Sequence, residues 1–320
     1  MSAKAKIRKQ TESDFMKPSF LKTVYKHKIL LLMLIPAVAY VIIFSYIPMV
    51  GIIMAFKKFN YMDGIFGSPW NGLNNFNFLF QSGRLWSLTR NTLLYNVAFI
   101  TVGLILQAGF AIIINELLLK RFRKIMQSFM FLPFFISWVV AVAVVQVIFG
   151  YDYGIINKFL DFFGVQRLNI YVDPAPWPFL LVFFNAWKGT GYGMIVYLAA
   201  IAGIDQEMYE AAEIDGANIW QRIFKVTLPS LIPTIVIMMI LAVGGIFRGD
   251  FGMFFQLIGN NGALLEIGDI LDLYVYRAMA SSSNIGMASA AGLYQSILCF
   301  IMVMFTNAIV KRVERDYSLF

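Results

Sequence analysis

The sequence is poor in the residues that do most enzyme and metal chemistry. Its 320 residues include one cysteine, Cys299, and one histidine, His27. A single thiol excludes an intrachain disulfide, and the pair cannot build a Cys/His metal cluster. No catalytic residue and no metal site is read from the sequence. Ser-His and Cys-His nucleophiles have no base, because His27 sits in a lysine-rich tail. Cys299 lies in an apolar run and reads as a small packing or lipid-facing residue. Charge is scarce as well, at 14% of residues against about 25% in a soluble domain. Disordered, coiled-coil, collagenous and disulfide-rich classes are excluded on the same grounds.

What is abundant is apolar surface, at 59% of residues with a mean hydropathy of +0.71. A soluble domain of this size has too little interior to hide it. The expected class is therefore all-α, a polytopic membrane protein, with six spans at about 29–56, 92–118, 125–149, 178–202, 230–257 and 287–310. The first is not read as a cleavable signal peptide: it is too long, contains Pro36 and Pro48, and is followed by no small-residue cleavage site. The net charge of +8 does not point to nucleic acid, because its cations sort by side of the membrane. With the N-terminus inside, the inner segments hold 17 Lys and Arg and the outer segments 8. The positive-inside rule then puts both termini in the cytoplasm. The domain reading is a basic tail (1–28), either lying on the anionic inner leaflet or merely disordered, a transmembrane domain (29–310) and a short cytoplasmic C-terminus (311–320).

One inner segment breaks the rule. The loop 203–229 carries five acids against two cations. It reads as two short helices. Asp205 is a good N-cap, Glu207 sits in the first turn, and Gly216 is a natural left-handed terminator. Asn218 can cap a second helix with an apolar face of Ile219, Ile223 and Phe224, which Pro229 is expected to stop. A plain connection needs only a few residues. The loop is either an amphipathic surface segment or a rigid docking knob for a cytoplasmic partner.

Within this loop Glu210-Ala211-Ala212, then Asp215-Gly216-Ala217, then Ile223, then Leu228-Pro229, resembles the EAA signature of permease subunits in binding-protein-dependent ABC importers. Val226 takes the aliphatic place two residues before Leu228. The resemblance extends to Ser45-Tyr46-Ile47-Pro48-Met49, Leu132-Pro133 with Ser137-Trp138-Val139-Val140, Trp187-Lys188-Gly189 with Gly191-Tyr192-Gly193, and Ala290-Ala291-Gly292-Leu293-Tyr294-Gln295-Ser296. These segments are similar to the carbohydrate-uptake branch, in particular to its polysaccharide or lipo-oligosaccharide permeases and to a maltose-type larger permease. The resemblance implies the type I ABC importer permease fold in a bacterial cytoplasmic membrane. It implies a second permease subunit, two cytoplasmic ATPase subunits, an extracytoplasmic solute-binding protein and an oligosaccharide solute, pectic and alginate-derived ones included. It also implies that Glu210, Ala211, Ala212, Asp215, Gly216, Leu228 and Pro229 couple to the ATPase. No cofactor is expected on this chain; ATP and Mg belong to the partner.

Ionisable residues inside a span face a cavity by default. Lys188 lies in the fourth span, and Arg248 and Asp250 lie in the outer half of the fifth. The last two could pair with each other. Otherwise they line a path, with Lys188 and Arg248 suited to uronate carboxylates. Trp187, Tyr192 and Phe251 could stack on sugar faces, and Gln295 could hydrogen-bond hydroxyls. Many aromatics serve instead as an interfacial belt. Thr190-Gly191-Tyr192-Gly193 looks like a potassium filter but continues into apolar helix on both sides, so close helix contact is the simpler reading. No phosphate loop is present, since no Lys-Ser/Thr follows the glycines. A permease for a peptide, an ion channel and an intramembrane enzyme are the competing classes. The channel leaves the loop 203–229 unexplained, and the enzyme lacks a catalytic pair.

Overall fold

The computed structural model describes residues 25–81, 83–280 and 284–313. Most of the basic tail, and residues 314–320, lie outside them. The chain divides into two units, Met1–Ile53 and Met54–Phe320. Among the described residues the secondary structure is helical, apart from one isolated bridge between Lys57 and Trp70.

In the first unit α1 (Lys28–Val41) tolerates Pro36 and buries no residue. Its path continues through a π turn (Ile42–Tyr46) into a 3-10 stretch (Ile47–Phe56). The winding changes just before Pro48, which has no N–H to give the helix ladder.

The second unit contains α2 (Arg84–Asn115), α3 (Lys120–Phe131), α4 (Trp138–Phe149), α5 (Ile155–Phe162) and α6 (Trp177–Ala202). Then come α7 (Gln206–Ile214), α8 (Ile219–Arg222), α9 (Leu228–Gly244), α10 (Phe251–Leu257), α11 (Leu271–Ala280) and α12 (Ile285–Val313). Four helical stretches are long and apolar enough to cross a membrane: Lys28–Phe56, Arg84–Asn115, Ile219–Gly244 and Ile285–Arg312. Lys120–Phe135 with Trp138–Phe149 makes a fifth if that bent pair is one span. The 26-residue α6 is long enough, at about 39 Å, but is not among the apolar ones. Asn185, Lys188 and Thr190 lie near its middle.

Two of the expected spans and one expected helix stop differ from the sequence reading. The stretch 125–149 is not one straight helix: its halves meet at 102°. Pro133 starts a 3-10 turn (Leu132–Phe135), and Ser137 caps α4 by accepting the Val140 N–H at 3.3 Å. The stretch 230–257 ends its helix at Gly244 and resumes as α10 after a turn through Arg248 and Gly249. Pro229 does not stop the helix before it. Helix runs from Ile219 to Gly244 through a π turn (Ile223–Thr227). Pro229 comes just after that wider turn, which makes room for the ring where a regular α turn would clash with it.

The core forms where α2, α6, α9 and α10 meet. Tyr95 and Phe99 of α2 pack on Phe254 of α10, with ring centroids 5.2 and 6.3 Å apart. Nearer the loop 203–229, Ala108, Ile112, Met194, Tyr197 and Leu231 are buried together. The glycines of α6 permit this closeness. A Cβ at Gly191 would stand 1.8 Å from the Met130 carbonyl oxygen of α3. That backbone cannot yield without separating the helices. Gly191→Ala should therefore lose about 1–3 kcal/mol to overpacking, more than the ~1 kcal/mol that helix propensity returns. A thermal melt of the purified protein in detergent should show a lower midpoint; an unchanged midpoint would refute this packing.

Candidate functional site

The loop 203–229 is built by local chemistry. Asp205 accepts the Glu207 N–H at 3.0 Å and opens α7. Gly216, at φ +75°, closes it: its N–H bonds to the Glu213 carbonyl at 3.0 Å and the Ala217 N–H to Ala212 at 2.9 Å. That paired pattern at a left-handed glycine satisfies carbonyls the helix would otherwise leave open. Asn218 and Gln221 then form a reciprocal capping box for α8, at 2.8 and 2.9 Å. Glu210, Ala211, Asp215, Gly216 and Pro229 are exposed, while Ala212 and Leu228 are half-buried. Ile214 at the tip is 86% exposed and Trp220 is 66% exposed, so the knob offers acids and apolar side chains together.

Two clamps fix the knob to the helix bundle. The Tyr209 hydroxyl and Thr227 Oγ1 are 2.9 Å apart, joining α7 to the base of α9. Arg222 pairs with Glu213 of α7 and, at 3.2 Å, with Glu116 at the end of α2. Arg123 seals that end of α2 by donating to the carbonyls of Asn115 at 2.5 Å and Leu117 at 2.9 Å. Sequence reasoning missed Glu116, Arg123, Tyr209 and Thr227. Their partners are distant in sequence or are backbone atoms, and no local pattern marks them.

The second cluster surrounds the 102° elbow between α3 and α4. Lys188, half-buried on α6, donates to the carbonyls of Phe134 at 2.8 Å, of Ile136, and of Pro133 at 3.5 Å. Its ammonium also lies 5.7 Å from the Phe134 ring and 5.6 Å from the Trp138 ring. The elbow exposes carbonyls that a straight helix would have bonded, and Lys188 satisfies them. On the other side, the Trp138 indole donates to Asp250 at 3.0 Å, and the same carboxylate caps α10 through the Met253 N–H at 3.0 Å. Lys188 and Asp250 thus converge on Trp138. Phe134 stacks on the half-exposed Tyr192 with ring centroids 4.4 Å apart.

The turn between α9 and α10 is held from α11 and α12. Gln295, buried, donates to the Phe247 carbonyl at 2.7 Å and to Asp272 at 3.0 Å. Asp272 also accepts the Gly249 N–H at 2.7 Å. Burial pushes the Asp272 carboxyl above its usual range, and these two donors pull it back. Between these grips Arg248 is exposed, with Asp272 and Cys299 beside it. Among the described residues no ion pair joins Arg248 to Asp250. Phe251 packs with Phe255 and Tyr276, at 5.3 and 5.1 Å between centroids. Trp187 instead packs against the core. The candidates therefore separate. Arg248, Tyr192 and Phe251 stand at accessible or half-accessible surfaces, whereas Lys188, Asp250, Gln295 and Trp187 are engaged within the protein.

Removing the ammonium should expose this difference. Lys188→Met takes the ammonium donor from the Phe134 and Ile136 carbonyls, at a cost of about 1–3 kcal/mol, and should lower the melting midpoint in detergent. Arg248→Gln, at an exposed site, should leave the midpoint within a degree or two. Equal midpoints for Lys188→Met and the parent protein would overturn the assignment of Lys188 to the elbow.

Comparison with known proteins agrees with this architecture. Residues 100–315 match the family model described as binding-protein-dependent transport system inner membrane component. The polygalacturonan/rhamnogalacturonan transport system permease protein YteP of Bacillus subtilis (strain 168) is 32% identical over 287 residues, covering 90% of this chain and 89% of that one. Among solved structures, a chain of a bacterial ABC transporter involved in the import of the acidic polysaccharide alginate superposes with a TM-score of 0.83 at 31% identity. The match covers 92% of this chain and 99% of that chain. The bacterial alginate ABC transporter in complex with an alginate pentasaccharide-bound periplasmic protein matches equally well, at a TM-score of 0.83 and 31% identity over 92% and 98% of the two chains. This chain belongs to the family of binding-protein-dependent transport system inner membrane components.

Proposed function

We propose that this chain is one of two permease subunits of an ABC importer for acidic oligosaccharides of pectic or alginate type. The observation that carries the reading is the knob at 203–229, an exposed, doubly capped helix with two ties to the spans. A docking element must not fray when pushed, and the caps at Asp205, Gly216 and Asn218 remove the slack at each helix end. Two cytoplasmic ATPase subunits, which carry the ATP and Mg, dock one on each permease. Their closure moves α7, and the Tyr209–Thr227 and Glu213–Arg222–Glu116 contacts pass the movement to α9 and α2. A solute-binding protein delivers the oligosaccharide on the far side of the membrane. In this arrangement six spans cross the membrane and both termini are cytoplasmic. The family, the basic inner segments and the length of α6 support that topology.

The likeness to permeases for polygalacturonan and alginate favours an acidic solute. Of the two cations considered for its carboxylates, Lys188 spends its donors on the elbow. Arg248 is the one presented outward, at a turn fixed on both sides, and its planar guanidinium suits a carboxylate bidentately. The exposed rings near Tyr192 and Tyr276 suit the apolar faces of sugars.

Two sets of variants test the reading in proteoliposomes that contain the partner subunits and the binding protein. Glu210→Lys and Gly216→Val should cut ATP-driven uptake at least tenfold with normal membrane insertion; unimpaired uptake would sink the coupling role. Arg248→Gln should slow uptake of uronate oligosaccharides at least tenfold more than uptake of neutral ones of equal length. An equal effect on both would remove the acidic solute and leave the importer.

A further inference from the structure

The helix α5 (Ile155–Phe162) has an apolar face that neither the knob nor the elbow uses. Ile155, Phe159, Phe162 and Phe163 are all exposed, with Phe162 at 81%. At about 100° per residue Ile155, Phe159 and Phe162 fall within one arc of about 60° on the helix, and Phe163 follows at its C-terminal end. The opposite side carries Asn157, which is buried. Its amide donates to the carbonyls of Gly150 at 3.1 Å, Tyr151 at 3.3 Å and Leu168 at 2.9 Å, and its oxygen accepts the Leu168 N–H at 2.8 Å. One side chain thus ties α5 both to the end of α4 and to the segment that follows. That segment is pinned in turn: the Trp177 indole at the start of α6 donates to the Ile170 carbonyl at 2.5 Å, and the Asn261 amide donates to Tyr171 at 2.8 Å.

These ties determine where the apolar face can be. α6 runs from Trp177 to Ala202 and then into the knob, so α5 sits at the end of α6 remote from the knob, about 39 Å away along the helix. It begins five residues after α4, and within that link the Gly154 N–H bonds back to the Gly150 carbonyl at 2.9 Å. α4 exposes Val139, Val140 and Val147, an apolar surface of the kind that suits lipid. The helix cannot leave the level at which α4 emerges. Charges lie along one edge of the stripe: Lys158 is exposed there, and Asp161, paired with Arg167 at 2.8 Å, lies further round on the same side. Tyr151 and Tyr153 stand exposed alongside. An apolar, aromatic-rich stripe edged by Lys158 and tyrosines suits the boundary between acyl chains and headgroups, where a lysine reaches phosphates.

We propose that α5 is an interfacial helix whose partner is membrane lipid. Its Ile155, Phe159, Phe162 and Phe163 face is immersed just below the headgroups of the leaflet opposite the knob. The clamp by Asn157 makes this a fixed float for the α4 end of the elbow. The proposal concerns lipid contact and stands apart from the identity of the solute.

The test places an environment-sensitive fluorescent amino acid at Phe162 and, in a second protein, at Gln166, an exposed residue of the same segment. Both proteins are reconstituted with their partner subunits in phosphatidylglycerol and phosphatidylethanolamine vesicles. Quenching by lipid that carries a nitroxide near the headgroup is compared with quenching by aqueous iodide. Position 162 should be quenched by the nitroxide lipid at least threefold more than position 166, and adding liganded binding protein should change neither. Iodide quenching equal to that at 166 would put the face in water and overturn the proposal. Protection that appears only on adding the binding protein would assign the face to that protein, and protection from both quenchers without it would assign it to the second permease. Either result also overturns the proposal.

Discussion

The constraint that organises this protein is that a lipid interior offers no hydrogen bonds. Every backbone carbonyl and amide at membrane depth must find its partner within protein. A straight helix meets the constraint by itself; a broken one does not. Among the described residues the helices break at the elbow and again between α9 and α10, and at each break a polar side chain from another helix supplies what is missing. Lys188 of α6 covers the carbonyls of the elbow. Gln295 of α12 and Asp272 of α11 cover the turn between α9 and α10. Replacing these residues by apolar ones would save their own desolvation but would leave several backbone groups bare.

The same constraint explains what could be read from the amino-acid order and what could not. The caps of the knob were legible, because Asp205, Gly216 and Asn218 act on atoms within five residues of themselves. The existence of long apolar helices was legible from their lengths. The elbow was not. Pro133 can be accommodated in a helix or can break one, and what decides is Lys188, more than fifty residues later. Read alone, a lysine in a span looks like a site for a solute, because its alternative partners are carbonyls, which are invisible in a sequence. Asp250 misled similarly: its partner was not the nearby Arg248 but the Trp138 indole, 112 residues earlier. Pro229 was read as a stop because the wider π turn that admits it leaves no compositional trace.

Within this frame the knob and the elbow are not independent. Both attach to α6, the knob at its C-terminal end and the elbow at its middle through Lys188 and Gly191. The close approach at Gly191 leaves no room for the two helices to slide without moving the Met130 backbone. A change imposed at α7 therefore meets stiff contacts all the way to Trp138 and Asp250, the place where the candidate solute surfaces begin. Arg248 stands at the edge of that assembly, on a turn gripped by Asp272 and Gln295, so its position follows α11 and α12.

The unbroken length of α6 has a mechanical consequence. It holds the knob at one end, the elbow at its centre and the anchorage of α5 at the other, with no proline between Pro178 and Ala202 to act as a joint. A rod of about 39 Å that tilts by about 10° displaces one end by about 7 Å relative to the other. If lipid holds the α5 end still, that end is the fulcrum, and the elbow travels about half as far as the knob. The permease would then work as a lever whose gear ratio is set by where along α6 the lysine sits.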